Sequence, residues 1–348
     1  MARAIAGAVE RSWREGGVLP VLLAPAAWLY RGGVAVRNAL YDRGVLASHP
    51  LGLPTVSVGN LTVGGTGKTP MSAWVAQEML RRGVRPAILL RGYGDDEPTV
   101  HRRLTPAAVV IPDADRLRGA AAARQAGAQV LILDDGFQHR RAVRDLDLVL
   151  VAAEQGVPAR LLPAGPLREP RQAMARASVI VVTRKSASLA QATAVAEAWS
   201  RYGRRVPVVL VSLVLDALRP VRSVPVADHE PPEESRPLTA LASQRVLAIA
   251  GVGDPQAFAR QLEGAGAEVD LAPFPDHAAF TDADLAALSS RAAAADWVVC
   301  TLKDAVKLGP RWPRNAPRLW YLSQRVEIDR GAEVLDALLD RSVARRDG

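Results

Sequence analysis

The sequence has 348 residues, of which 49% are hydrophobic and 23% are charged. These proportions exclude a disordered chain and are typical of a soluble globular protein, and a chain of this length usually forms two domains. Lys and Arg total 44 against 36 Asp and Glu, so the net charge is +8. A basic chain favours anionic partners, although a compositional bias toward Ala and Arg would give the same charge. The sequence contains no recognisable nucleic-acid-binding motif, and we expect no nucleic acid among the partners.

An uncharged apolar stretch, residues 18–30, lies near the N-terminus, ends in Trp28 and Tyr30 and is flanked by arginines. It is shorter than the roughly 20 residues that cross a bilayer, and two prolines interrupt it. We reject a secretory signal, because the unpaired Cys300 and the motif described next indicate the cytosol. The pattern predicts an interfacial helix on an anionic membrane. A helix packed on the protein's own core is the alternative.

A glycine-rich turn follows an apolar run at residues 55–70, which read TVSVGNLTVGGTGKTP. The run predicts a buried strand, and residues 71–82 predict a helix. Glycines between them allow successive N–H groups to face an anion at the N-terminus of that helix. Lys68 would reach the β- and γ-phosphates, and the Thr69 hydroxyl would bind Mg²⁺. The predicted ATP-binding residues are Thr62, Val63, Gly64, Gly65, Thr66, Gly67, Lys68 and Thr69, with Thr62 in place of the usual first glycine.

Strand-like and helix-like segments alternate from residue 54 to about residue 215, which predicts an α/β fold with a doubly wound, mainly parallel sheet of the P-loop NTPase type. An acidic, proline-rich stretch, residues 228–237, predicts a linker or an exposed loop. Alternation then resumes in a second, smaller α/β unit. The predicted organisation is an apolar N-terminal helical segment at 1–45, a P-loop domain at 46–215, a linker region at 216–243 and a smaller α/β domain at 244–348.

Two carboxylates, Asp134 and Asp135, follow the apolar run of residues 131–133. In a doubly wound fold this strand end lies beside the phosphate loop, where a carboxylate can hold Mg²⁺ directly or through water. Strand-end solvation or helix capping is the alternative. His139 follows at the same edge and would, taken alone, more often be a structural histidine.

Four further motifs lie on predicted loops or strand ends: RGYGDDEP at 91–98, LPAGPLREP at 162–170, FPDH at 274–277 and TLKDAVK at 301–307. The first two are interpreted equally well as surface loops. In the third, Asp276 could orient the imidazole of His277 and make it a general base, with a capped helix start as the alternative. The fourth offers two lysines to an anion.

Together these strings resemble the tetraacyldisaccharide 4′-kinase family, which phosphorylates a lipid A precursor. The resemblance covers nearly the whole chain in order, and GNLTVGGTGKTP, DDGFQH and PAGPLRE carry most of its specificity. It implies ATP and Mg²⁺ as cofactors, an acylated disaccharide phosphate lipid as substrate, and a peripheral or monotopic location at the cytoplasmic face of the inner membrane.

The resemblance also implies roles for individual residues. Asp96 together with His277 would take the proton from the 4′-hydroxyl, and Asp276 would support the histidine. Thr69, Asp134, Asp135 and Glu169 would hold the metal ion, with Lys68 on the phosphates. Further site candidates are Glu97, Arg91 and His139. Because His277 lies in the second predicted unit, we expect the site to be completed only when the two units close.

Two departures from the family pattern concern substrate positioning. The family usually has an insert between RGYG and a Gly-Asp-Glu-Pro string, whereas Asp96 and Glu97 here follow the turn almost at once, with Asp95 as the alternative register for the base. Ala278 also stands where the family tends to have a second histidine.

Two other functions are compatible with the phosphate loop. A membrane-associated ATPase switch usually has a lysine before the two glycines, where this chain has Val63. A kinase or ligase acting on another small molecule would leave the apolar N-terminal segment without a purpose.

Overall fold

The computed structural model describes residues 12–13, 17–92, 96–221, 234–252, 255–275 and 278–344. Its strands are β1 Thr55–Asn60, β2 Pro86–Leu90, β3 Val109–Pro112, β4 Val130–Asp134, β5 Leu146–Ala152, β6 Val179–Arg184, β7 Val208–Pro220, β8 Arg245–Ala250, β9 Glu268–Pro273, β10 Trp297–Thr301 and β11 Leu319–Arg330. Its α-helices are α1 Leu19–Leu22, α2 Ala24–Asp42, α3 Lys68–Arg81, α4 Asp96–Leu104, α5 Arg116–Gln125, α6 Leu189–Ser200, α7 Pro255–Glu263, α8 Asp282–Ala292, α9 Leu302–Leu308 and α10 Ala332–Ala344.

The chain forms two compact units. The first contains the described residues of 1–92, 104–213 and 326–348, and the second contains those of 93–103 and 214–325. Strands β7 and β11 each contribute residues to both units. The predicted α/β class with a mainly parallel sheet is confirmed.

In the first unit the strand order is β3-β2-β4-β1-β5-β6-β7, and these strands pair in parallel. The central strands β1, β4 and β5 are buried along their whole length, which is why they read as continuous apolar runs instead of alternating patterns. The chain winds away from β1 to β2 and β3 and then returns to both sides of β1. The carboxyl ends of β1 and β4 therefore lie at the point where the winding reverses, the usual ligand edge of such sheets.

The second unit has the strand order β11-β10-β8-β9, again with parallel pairing. Apolar side chains of both sheet faces form its core, with Ile249, Val298 and Leu319 packed in one cluster and Trp320 with Leu262 in another. Helix α9 is the segment in which the TLKDAVK motif lies.

Two segments belong to units other than those that the predicted boundaries assign to them. Residues 326–344, including α10, lie in the first unit, because Leu335 and Leu339 pack into the same core as Val75 and Met79 of α3. Helix α4 begins within the motif at 91–98, for which a surface loop was one interpretation, and its residues up to Arg103 lie in the second unit. Of the predicted linker region at 216–243, residues 222–233 lie outside the described residues, residues 216–220 are the end of β7, and residues 238–241 form a short 3-10 helix.

The apolar N-terminal stretch contains α1 and the 19-residue helix α2. Within the described residues, no helix is both long enough and apolar enough to span a membrane. Trp28 and Leu29 are about four-fifths exposed, at 79% and 80%, and Val21 and Leu22 on α1 are exposed as well. The predicted alternative, a helix with its apolar side chains in the protein's own core, does not describe these residues.

Candidate functional site

The phosphate loop joins β1 to α3, and the helix begins at Lys68. Gly67 caps it in the left-handed conformation, with φ of 84°, which favours glycine. A Cβ at this position would lie 2.5 Å from Leu213 Cδ1, so a substitution would require the Leu213 side chain to shift, in addition to the unfavourable φ. The N-terminus of α3 therefore opens toward the loop, as anion binding requires.

Side chains and backbone of neighbouring strands hold the loop in shape. The Asn60 amide donates to the Thr66 hydroxyl over 2.9 Å, and the Thr183 hydroxyl donates to the Thr66 carbonyl over 2.9 Å. Val63 N–H donates to the carbonyl of Pro166 over 2.9 Å, and Thr62 donates to Gln155 over 3.0 Å. The loop is thus preorganised by contacts inside the first unit.

The two predicted carboxylates have different surroundings. Asp134 ends β4, is buried and accepts a hydrogen bond from Ser72 of α3 over 3.2 Å. Asp135 is left-handed, with φ of 56°, and its carboxylate accepts from Arg168 Nη1 at 2.9 and 2.8 Å. Lys68 Nζ lies 3.7 Å from Asp135 Oδ1. The structure therefore brings the predicted lysine and the predicted acidic pair together.

The donor set of this edge suits Mg²⁺ in a nucleotide site. Thr69 is the second residue of α3, three residues before Ser72, which hydrogen-bonds to Asp134 at the end of β4. In the part of the chain that the structure describes, no group of three or more His, Cys, Asp or Glu side chains could hold a metal ion by itself. Mg²⁺ in nucleotide sites needs only one or two carboxylates, since phosphates and water complete its coordination. The residues present therefore fit a metal ion that arrives with a nucleotide.

Glu169 is almost fully buried and is held on both oxygens. Arg176 donates to Oε1 and Oε2 at 3.0 Å each, and Asn38 of α2 donates to Oε2 at 2.8 Å. Three of the roughly four acceptor sites of this carboxylate are therefore occupied by Arg176 and Asn38.

A basic group lies around His139 at the same edge of the first unit. Burial lowers the pKa of His139, and the positive charges of Arg116 and Arg91 lower it further, so its imidazole is neutral at pH 7. Arg116 is buried on α5, and its guanidinium donates to the carbonyl of Asp134 over 3.4 Å. Cations near the two carboxylates would favour an anionic ligand here.

The remaining predicted residues lie in the second unit or outside the described residues. Asp96 begins α4, is buried and lies 3.3 Å from Lys307 Nζ, and Glu97 follows it in the first turn. Asp276 and His277 fall outside the described residues, as does Asp95.

A family model described as tetraacyldisaccharide-1-P 4′-kinase matches residues 19–102 and 95–344. The chain is 40% identical to the tetraacyldisaccharide 4′-kinase of Anaeromyxobacter dehalogenans strain 2CP-1, over 95% of this chain and 94% of that protein. It is 35% identical to the Geobacter sulfurreducens protein of the same name, over 92% of each chain. The chain belongs to this family.

A solved structure of the same 4′-kinase family shares the fold. The LpxK protein of Aquifex aeolicus, described as an "apo" form in complex with ATP, superposes with a TM-score of 0.73 at 29% identity, covering 93% of this chain and 99% of that one. The likeness confirms the predicted P-loop NTPase-like fold.

The matches also bear on the region between RGYG and Asp96. The two segments that match the 4′-kinase family model overlap at residues 95–102. The alignment to the Anaeromyxobacter protein has 372 positions, more than the 348 residues of this chain, so the relative has residues that this chain lacks. The overlap agrees with a missing insert near this place, whereas the alignment length does not locate the residues that this chain lacks.

Sequence reasoning did not single out three polar residues of this 4′-kinase site: Ser72, Arg116 and Arg168. Ser72 lies one helical turn after Lys68, on the face that meets β4, and Arg168 directly precedes Glu169. The three residues can be seen in the sequence, but the residues to which they hydrogen-bond are 18 to 62 positions away. No local pattern identifies such partners.

Proposed function

We propose that this chain transfers the γ-phosphate of ATP to the 4′-hydroxyl of tetraacyldisaccharide 1-phosphate in lipid A biosynthesis. The observation that carries the proposal is the phosphate loop with Lys68 beside Asp134 and Asp135, in a chain that belongs to the tetraacyldisaccharide-1-P 4′-kinase family.

ATP binding is assigned to residues 62–69. The loop N–H groups and the N-terminus of α3 would face the phosphates, and the Lys68 ammonium would neutralise the charge on their β- and γ-oxygens. Because Lys68 Nζ lies only 3.7 Å from Asp135, a phosphate would enter a place where positive charge is already balanced by a carboxylate. Arg168 would continue to hold the Asp135 carboxylate when the Lys68 ammonium turns away from it to the nucleotide.

Mg²⁺ is assigned to Thr69, Asp134 and Asp135, with Glu169 as a further acidic candidate. When bound, such an ion offsets negative charge on the phosphates during transfer. In this proposal the Ser72 hydroxyl orients Asp134, and Arg168 orients Asp135.

The acceptor hydroxyl needs a group that takes its proton. We assign this to Asp96 together with His277, supported by Asp276, on the resemblance of the DDEP and FPDH strings to the family. Arg91 and Glu97 are further candidates for contacts with the substrate, and the neutral His139 imidazole could both donate and accept a hydrogen bond there.

The acylated substrate gives the exposed apolar N-terminal residues a purpose. We infer that Val21, Leu22, Trp28 and Leu29 lie in the headgroup region at the cytoplasmic face of the inner membrane, where an aromatic ring and flanking arginines are favourable. This places the chain on a membrane without spanning it.

The experiment that tests the function is transfer of labelled γ-phosphate from ATP to tetraacyldisaccharide 1-phosphate in mixed micelles. We expect a 4′-phosphorylated lipid with wild type and a loss of at least a hundredfold in Lys68→Ala, because the variant loses the positive charge on the transferred group. ATP hydrolysis without lipid phosphorylation would favour the ATPase switch. Transfer to a soluble acceptor alone would favour another kinase.

A further inference from the structure

Helix α4 lies in sequence between strands of the first unit but belongs to the second. Arg103 at its C-terminal end donates to the carbonyl of Pro220 over 3.4 Å and stacks over the ring of Tyr321 at 4.9 Å. These contacts hold the C-terminal end of the helix in the second unit, and its first residue, Asp96, has a contact of its own there.

The Asp96 carboxylate meets Lys307 of α9. Lys307 Nζ lies 3.3 Å from Asp96 Oδ2 and donates to the carbonyl of Ala278 over 3.4 Å. The side chains of Lys307 and Asp96 are only 19% and 6% exposed. One ammonium therefore contacts both the proposed base and the backbone of the residue that follows His277.

Helix α9 is itself firmly anchored, so the ammonium has a defined position. Thr301 caps the helix by accepting from Asp304 N–H over 3.2 Å, and Asp304 accepts from Gly251 N–H over 2.9 Å. Ala305 and Leu308 are fully buried in the core of the second unit. The backbone position of Lys307 is therefore fixed, and its side chain loses rotamer freedom when it pairs with Asp96.

We propose that Lys307 is a positioning residue for phosphoryl transfer. Its ammonium supplies the counter-charge that holds the Asp96 carboxylate in its reactive orientation, and its bond to the carbonyl of Ala278 links that carboxylate to the backbone of the residue that follows His277 in the sequence. The inference rests on the proposed function, in which Asp96 and His277 take the proton. It assigns a role to the TLKDAVK motif, in which Lys307 acts through Asp96 and does not contact the nucleotide.

Steady-state kinetics of Lys307→Met and Lys307→Arg test the proposal. Methionine keeps most of the length of the lysine side chain and removes its charge. We expect kcat to fall about ten- to hundredfold, which is less than the loss of the general base itself would cause. The KM values for ATP and lipid should stay within about twofold, and Lys307→Arg should recover most of kcat. The matched control is Arg245→Met, which breaks an exposed ion pair with Asp296 in the same unit and should leave kcat unchanged. A wild-type kcat in Lys307→Met would overturn the proposal.

A double-mutant cycle separates positioning from a general structural role. Asp96→Asn alone should lower kcat about 10²–10⁴-fold, and adding Lys307→Met should lower it no further, because the lysine acts through Asp96. If the two substitutions together lowered kcat by the product of their separate factors, the proposal would be overturned. In Lys307→Met the buried carboxylate of Asp96 is left unpaired, which can make this variant unstable. The comparison of Asp96→Asn with the double variant is then still decisive, because the double variant buries neither charge. Failure of wild type to phosphorylate the lipid would instead contradict the proposed function.

Discussion

Arg168 shows how a single side chain can control the charge balance of the phosphate site. Its guanidinium binds both oxygens of Asp135, and its carbonyl accepts from the Tyr30 hydroxyl of α2 over 2.9 Å. Asp135 has a left-handed backbone that is costly for a residue with a side chain, so its orientation depends on such contacts. Without Arg168 the carboxylate would pair more closely with Lys68, which would then be less available to phosphate.

Arg168→Ala is therefore expected to weaken ATP binding about three- to tenfold, which a titration with a fluorescent ATP analogue would measure. Arg168→Lys keeps the charge but loses the planar fork, and should recover only part of the affinity. The matched control is Arg160→Ala, an exposed arginine on the same loop. Unchanged affinity in Arg168→Ala would show that Lys68 is not in competition for Asp135.

At the scale of the element, α2 has two faces with different partners. One face packs on the rest of the first unit, where Arg37 donates to the carbonyl of Gln138 over 2.8 Å and Asn38 donates to Glu169. The other carries Trp28 and Leu29, which are exposed. A helix held on one side by polar contacts and left apolar on the other is suited to lie between a protein and a lipid surface.

The variant Trp28→Glu/Leu29→Glu is expected to lower partitioning onto vesicles of phosphatidylglycerol and phosphatidylethanolamine by at least tenfold. The reason is that burying each of these side chains contributes about 1.5–3 kcal/mol and a carboxylate opposes burial. Vesicle co-sedimentation measures it, and ATP affinity should be unchanged. The control Val143→Glu alters an exposed apolar residue elsewhere in the first unit. Equal partitioning of all three proteins would exclude membrane contact through α2.

At the scale of the whole molecule, the chain returns to the first unit after building the second. The end of β11 and helix α10 complete the hydrophobic core of the first unit. Asp329 holds the end of β11 there through polar contacts. Arg184 of β6 donates to both Asp329 oxygens at 2.8 and 2.9 Å, and the Ser212 hydroxyl bonds to the same carboxylate. The hydrogen bonds from Arg184 lower the pKa of Asp329 below its usual range.

Asp329→Asn should lower the free energy of unfolding by about 1 kcal/mol at pH 7. Because the pKa of Asp329 is lower in the folded state, its contribution is complete above the unfolded value of about 4 and is lost as the pH falls through the folded value. The difference from wild type should therefore be constant above about pH 5 and shrink in more acidic solution. Urea unfolding across this range measures it, with the exposed Glu333→Gln as control. A difference that grows toward acid would contradict the assignment.

Much of the first unit could be predicted from the sequence because its signals are local. The apolar run before the phosphate loop and the run at residues 131–133 form the buried strands β1 and β4. The glycines of the phosphate loop required a special backbone, and the strand–turn–helix order around Lys68 followed from adjacent residues. The acidic pair was located by a general property of doubly wound sheets, in which the ends of parallel strands share one edge.

The sequence by itself determined the fold class, the phosphate loop, the acidic strand end and the resemblance to a 4′-kinase family, since each depends on residues close together in the chain. The tertiary structure alone decided that α4 joins the second unit, that α10 returns to the first, and that Lys307 meets Asp96. Those contacts join residues more than 100 positions apart. They form only when segments that are distant in the chain pack against each other. Hydrophobic periodicity and turn residues are local signals and do not show which distant segments will pack together.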